Sequence, residues 1–314
     1  MVSCILLFAA DNVIVCPRYF LAKGLAMRSL GIALTLIFCF FGYQSSHAAS
    51  VWKVTNGENT LYLAGTIHIL SPDDYPLPAQ FQSAYEASEV MVFETDISAM
   101  NSPDMQQKSM EMLTYTDGTT IDQVLQKETL NKLNSHLMQR GVPLANLETF
   151  KPTLLSLTLT MIEFQAIGLT TQGVDAFYYT TAMGDGKMRK WLETPEQQLN
   201  FIANMATGDE DEMILYTLKD LESLPSRMGE LKEAWRAGDM DTLAAIGLTP
   251  WIEEYADIYQ AIFVERNNNW VPEIKEMLTT PKTEMVLVGA LHMPGEHGLL
   301  TQLSQQGYTI TQLK

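Results

Sequence analysis

Two short apolar runs, one near each end of the chain, stop in the same way: a glycine, two residues, then a histidine. Leu61-Tyr62-Leu63-Ala64-Gly65-Thr66-Ile67-His68 is the first, and Met285-Val286-Leu287-Val288-Gly289-Ala290-Leu291-His292 is the second. Such runs read as strands, and the segment after the first one constrains the fold. Beyond His68, the Pro-studded loop Ser71–Pro78 leads into a helical pattern over Ala79–Glu89, with Phe81, Ala84, Tyr85 and Ser88 on one face. Another apolar run, Val90-Met91-Val92-Phe93, comes next. A strand-helix-strand unit nearly always sets its two strands parallel, with a right-handed crossover. Parallel strands end on one rim, so His68 and Glu94 are expected at the same sheet edge, where open α/β sheets collect ligands.

The C-terminal part follows the same logic. A short helix is expected over Pro272–Leu278, a strand over Met285–Val288, a helix over Glu296–Gln306 stopped by Gly307, and a closing strand over Tyr308–Leu313. At the other end, Val51–Val54 and Thr60–Ala64 flank the turn-forming Asn56-Gly57-Glu58-Asn59, the pattern of a hairpin. From about 102 to 269 the chain reads as mostly helical: Glu128–Arg140, Pro152–Ala166, Pro195–Thr207, Asp209–Leu221 and Trp251–Val264. One strand, Met188–Leu192, interrupts that stretch and puts Glu193 on the rim as well. The expectation is an α/β fold whose central, mostly parallel sheet is built from N- and C-terminal βαβ units, with a large helical insertion between them. Residues 50–314 are read as one such domain.

The first 49 residues read as export machinery. Arg28, the apolar run Leu30–Phe41 and the small, polar Ser45-Ser46-His47-Ala48-Ala49 have the order of a signal peptide, with cleavage after Ala48 or Ala49. The run is shorter than the roughly 20 residues a membrane-spanning helix needs. Met27 is read as the true start, which makes residues 1–26 a mis-assigned extension. The expected location is therefore periplasmic or secreted, the alternative being an uncleaved N-terminal anchor, the one route by which a membrane becomes a partner. All three cysteines (Cys4, Cys16, Cys39) lie in this segment, so the exported chain has no disulfide and no thiolate ligand or nucleophile. It keeps 17 basic and 36 acidic side chains, having lost Arg18, Lys23, Arg28 and Asp11, for a formal charge of −19. A surface this acidic repels nucleic acid.

The two Gly-x-x-His runs, together with Pro76-Leu77-Pro78, Phe93-Glu94-Thr95-Asp96, Trp191-Leu192-Glu193-Thr194 with Gln197, Glu265-Arg266-Asn267 and Gly307-Tyr308, resemble the TraB/GumN family, to which the animal TIKI proteins also belong. The matches keep the family's order across nearly all of residues 50–314. The resemblance implies an α/β fold with a helical insertion. It also implies kinship with metal-dependent proteases, since TIKI proteins are regarded as metalloproteases that need both Gly-x-x-His motifs. Other members are tied to inhibition of peptide pheromone signalling.

The chemistry expected at the rim is a divalent metal held by His68, His292 and Glu94. Two imidazoles and a carboxylate suit Mn, Co, Zn or Fe and leave positions open for an activated water. Glu193 or Asp96 would serve as general base or orient a histidine, and Arg266, with Asn267 beside it, would bind substrate or an oxyanion. Each has a blander reading: a structural histidine at a strand end, Asp96 capping the following turn, Glu193 capping the helix at Pro195, Arg266 bonding helix carbonyls, Asp175 a first-turn helix residue, and Gly65 and Gly289 as turn-permissive positions. His136 lies in a polar helix; His297 is close enough to His292 to be a spare ligand. No Gly-x-Ser-x-Gly elbow, His-Glu-x-x-His helix, P-loop or Rossmann fingerprint is present. The expected activity is an exported metal-dependent hydrolase acting on peptides. The alternative is a protein that captures a peptide or small-molecule ligand without turnover.

Overall fold

The computed structural model describes residues 48–205 and 210–314, so the proposed leader and its cleavage region fall almost wholly outside the described residues. Six strands form one sheet: β1 (Val51–Thr55), β2 (Thr60–Thr66), β3 (Val90–Phe93), β4 (Met188–Trp191), β5 (Glu284–Gly289) and β6 (Thr309–Gln312). Their order across the sheet is β4-β3-β5-β2-β1-β6. Strands β2, β5, β3 and β4 run parallel, while β1 is antiparallel to both β2 and β6. The expected hairpin is thus β1–β2, and the sheet is mostly parallel, as an α/β fold requires.

Strand β5 is buried at every position, the mark of a strand covered on both faces. Its alternate residues divide between two apolar layers. Met285 and Leu287 join Met91, Phe93, Phe81 and Trp235 on one face; Val286 and Val288 join Val90, Val92, Trp270 and Leu303 on the other. This period-2 division holds β5 in register: Thr66 lies opposite Gly289, and Phe93 opposite Leu287. Both Gly-x-x-His turns and the segment after β3 therefore leave the sheet at one level.

Most of the chain between β3 and β5 is helical, broken by β4. Two helices run past prolines at which the sequence suggests boundaries. The Glu210–Ala237 helix contains Pro225, and the Arg266–Met277 helix contains Pro272. Each is held by packing of an apolar stripe, Leu221, Leu224 and Met228 in the first and Trp270, Val271 and Ile274 in the second, which outweighs the missing N–H. The stretch read as one helix over Trp251–Val264 is instead two short helices, Thr249–Glu254 and Ala256–Tyr259, followed by a π-helix over Gln260–Glu265. The last helix starts at Leu299, not at Glu296, and Gly307 follows it at φ +89°, where a residue with a Cβ is strained. Among the described residues, no helix is long and apolar enough to cross a membrane.

Candidate active site

At the C-terminal rim of the parallel strands, seven polar side chains meet out of water: His68, Glu94, Asp175, Glu193, Arg266, Asn267 and His292, none more than 5 % exposed. All but Asp175 were expected to form the site, from their positions at strand ends and from the Arg-Asn pair. The sheet brings His68, Glu94, Glu193 and His292 together from four different strands, and the helix beginning at Arg266 delivers Arg266 and Asn267.

Arg266 is the hub. Its Nη2 donates to Glu94 Oε2 at 2.6 Å and to Glu193 Oε1 at 2.7 Å, and its Nε donates to Glu193 Oε2 at 3.1 Å. Its Nη1 lies 3.2 Å from His292 Nε2. The Trp270 ring, 4.6 Å from the guanidinium carbon, covers one face of the cation. A buried cation bound by two carboxylates is how a charge survives desolvation. Arg266 therefore does not bond helix carbonyls with these donors, and Glu193 does not cap the helix at Pro195. That cap is Thr194, whose hydroxyl accepts from Gln197 N–H while the Gln197 side chain returns to Thr194 N–H.

The two histidines share a motif but not an environment. His68 Nδ1 is 2.6 Å from Asp175 Oδ2, and Thr66 donates its hydroxyl to the other Asp175 oxygen at 2.9 Å. His68 Nε2 has no hydrogen-bond partner and lies 3.8 Å from Glu94 Oε1. Burial lowers the His68 pKa, but the Asp175 carboxylate and, further off, Glu94 overcome that and raise it above the ordinary value. His292 Nδ1 is 2.7 Å from Asn267 Oδ1, an acceptor, so Nδ1 carries the proton and Nε2 offers a lone pair to Arg266. Burial and the Arg266 charge hold the His292 pKa down to about 3. Asn267 also donates to the carbonyls of His292 and His297, which locks the turn.

The carboxylates diverge too. Burial would raise Glu94, but Arg266, His292 and His68 pull its pKa below the usual value; Oε1 also accepts the Gly289 N–H at 2.6 Å. Glu193 is raised, because its burial outweighs its share of Arg266. Two carboxyls with opposite shifts around one cation are a common acid/base arrangement.

Asp175 is the member the sequence does not announce. It lies in the first turn of the Val174–Gly184 helix, as expected of such a residue, but its side chain orients His68. A signal exists at Gly173: a Cβ there would come within 2.2 Å of the His68 carbonyl group, so only glycine lets this helix approach. Gly65 likewise admits a neighbour, Ala290, rather than a turn, and Gly289 has an ordinary φ of −50°. Asp96 caps the Ile97–Met100 helix and accepts from Tyr179. His297 is exposed, and His136 pairs with Glu163, so neither joins the cluster.

The expected metal can be tested against this arrangement. Each histidine has Nδ1 engaged by an oxygen acceptor, which presents Nε2 inward; metal-bound histidines are oriented in this way. With Glu94 between them, the donor types and tautomers fit a divalent first-row ion. Arg266, however, already engages His292 Nε2 and Glu94 Oε2, and among the described residues no three His, Cys, Asp or Glu side chains stand close enough together to hold an ion. A cavity of about 10 Å³ borders His68, lined also by Thr66, Ile67, Leu231, Ala290 and Leu291. That is room for about one water, not a substrate.

The chain is 22 % identical over 244 residues to the uncharacterized protein YbaP of Escherichia coli (strain K12), covering 77 % of this chain and 87 % of that protein. The Shigella flexneri protein of the same name matches to the same extent. No solved structure matches. The model of the TraB/PrgY/gumN family matches residues 50–312, a span that holds both Gly-x-x-His turns and all six strands of the sheet, and the chain belongs to that family.

Proposed function

We propose that this protein is an exported, metal-dependent hydrolase with peptide substrates, and that its centre is the buried cluster around Arg266. The observation that carries this reading is the pair of histidines whose Nδ1 atoms are each engaged by an oxygen and whose Nε2 atoms face Glu94 and Arg266. Purely structural imidazoles would not need two separate orienting partners and one shared focus. His68 Nε2, His292 Nε2 and a Glu94 oxygen would hold the ion, and Mn, Co, Zn and Fe all suit such donors. Bound there, the ion would supply a water of lowered pKa and polarise a carbonyl.

The chain's own residues divide the remaining work. Asp175 holds the His68 ring and favours the tautomer with Nδ1 protonated. Asn267 does the same for His292. Glu193, whose carboxyl is raised by burial, can release and regain a proton at Oε1 or Oε2 nearer neutrality than an ordinary glutamate. Arg266 offers a planar fork to an oxyanion or to a substrate carboxylate once one replaces Glu94 or Glu193 as its partner. Because the cluster is closed to anything larger than water, a peptide requires movement of the segments over it.

The closed centre, already neutralised from within, also favours a second reading: capture of a peptide or small ligand without turnover. Glu94→Gln separates the two. A hydrolase should lose about 10²-fold or more of its rate with ligand binding kept; a binder has no rate to lose. The metal itself is tested by mass spectrometry of protein incubated with a divalent-ion mixture, wild type beside His68→Ala/His292→Ala. Near-stoichiometric metal in the wild type alone supports the first reading; equal metal in both removes the two histidines as ligands.

A further inference from the structure

Resting on the metal-centre reading just given, we infer that Arg266 is the site's own counter-cation: its guanidinium stands in for the metal, and an ion loads only when Arg266 withdraws. Three observations carry this. First, the donors overlap. Arg266 Nη1 faces His292 Nε2 at 3.2 Å and Nη2 takes Glu94 Oε2 at 2.6 Å, so the His292 lone pair and one of the two Glu94 oxygens are taken by the guanidinium. The third ligand atom, His68 Nε2, is buried and left without a hydrogen bond. Second, charge and desolvation force the competition. Glu94 is buried with the equally buried Arg266 guanidinium 2.6 Å away, so an ion placed on Glu94 would set a second buried positive charge beside the first.

Third, the backbone at Arg266 has a second arrangement within reach. The residue follows directly on the π-helix Gln260–Glu265, where each turn holds about one residue more than an α-turn. Passing the extra residue of that wide turn along the helix, from before Arg266 to a point between Arg266 and Trp270, turns Arg266 about the helix axis by roughly the 100° that one residue occupies. Arg266 would then leave the rim while the helix beyond Trp270 stays packed on the sheet. Phe263, in the π segment, packs its ring 5.2 Å from His292, so the same change reaches the second imidazole.

The test is a competition titration of the purified protein with Mn²⁺, Co²⁺ and Zn²⁺ against a fluorescent chelator. Wild type, Arg266→Gln and Arg266→Lys are compared, each with and without His68→Ala, with circular dichroism to verify folding. The expected result is that Arg266→Gln binds at least one ion about tenfold or more tighter than wild type, within the range that neighbours of metal ligands command. The lysine variant, which cannot fork across three partners, also binds tighter, and His68→Ala abolishes the gain. In the wild type, the Arg266 Nε–Hε resonance should be protected from exchange without ion and lose that protection on saturation. Affinity that is unchanged or weaker in both variants, with His68-dependent binding in the wild type, overturns the inference and leaves the metal centre standing. Retained Nε–Hε protection at saturation does the same without any substitution. Absence of His68-dependent binding in wild type and folded variants alike overturns both.

Discussion

The two Gly-x-x-His turns present the same four-residue frame, at the ends of neighbouring parallel strands, yet give their imidazoles opposite proton affinities. His68 faces a carboxylate and is raised; His292 faces an amide and a guanidinium and is lowered to about 3. The motif sets where the ring sits. The charge of the partner, which comes from the Val174–Gly184 helix in one case and the Arg266–Met277 helix in the other, sets what the ring can do. The two also act oppositely on stability. A raised His68 stabilises the fold fully below its unfolded value of about 6.5, and that contribution fades as pH rises through the higher folded value. A lowered His292 makes the unfolded chain the better proton acceptor below about 6.5, so stability falls as pH drops from there toward the folded value of about 3. Stability should therefore peak near neutrality, between these two losses.

The most damaging single change removes the cation that both turns share. Arg266→Met leaves Glu94 and Glu193 buried without their main counter-charge, and should cost about 3–5 kcal/mol in denaturant unfolding at pH 7. Adding Glu193→Gln should recover part of that loss. Next is the approach that gives His68 its carboxylate. Gly173→Ala puts a methyl against the His68 carbonyl and should cost about 1–3 kcal/mol; no loss would mean the helix can back away freely. Asp175→Asn then removes the charge alone. An NMR titration should find His68 above about 6.5 in the wild type and lower in the variant, where only the more distant Glu94 still opposes burial. The smallest change is the reverse exchange, Asn267→Asp, which gives His292 a carboxylate. Its resonances, silent near neutral pH in the wild type, should move their midpoint upward from about 3.

The parallel sheet was legible because apolar runs, a helix between them and the crossover rule together leave few choices, and the rim positions of His68, Glu94, Glu193 and His292 follow directly. Hub and orienters were less visible. Arg266 lies in a helix that passes through Pro272 and begins in a π-helix, both against local expectation, so pattern alone starts that helix too late to include it. Asp175 is separated from His68 by more than a hundred residues, and a Gly-x-Asp at a helix start has a sufficient local explanation as a first-turn residue. Glu193 beside Thr194-Pro195 invited the capping role that Thr194 in fact takes. In each case the local preference is worth about 1 kcal/mol, and a buried charge partner is worth more.

Strand β5 is made of nearly the last residues of the chain, yet it lies between β2 and β3, which come from the first part. Until β5 is made, β2 and β3 have no strand to join them, and Glu94 lacks the Gly289 amide that its Oε1 accepts. The order of synthesis is thus the reverse of the order of need, and the long-range pairing makes folding slow in the way high contact order does. A chain cut just before β5 carries every member of the cluster but His292, yet it lacks the strand that joins β2 to β3 and so brings their ends to one rim.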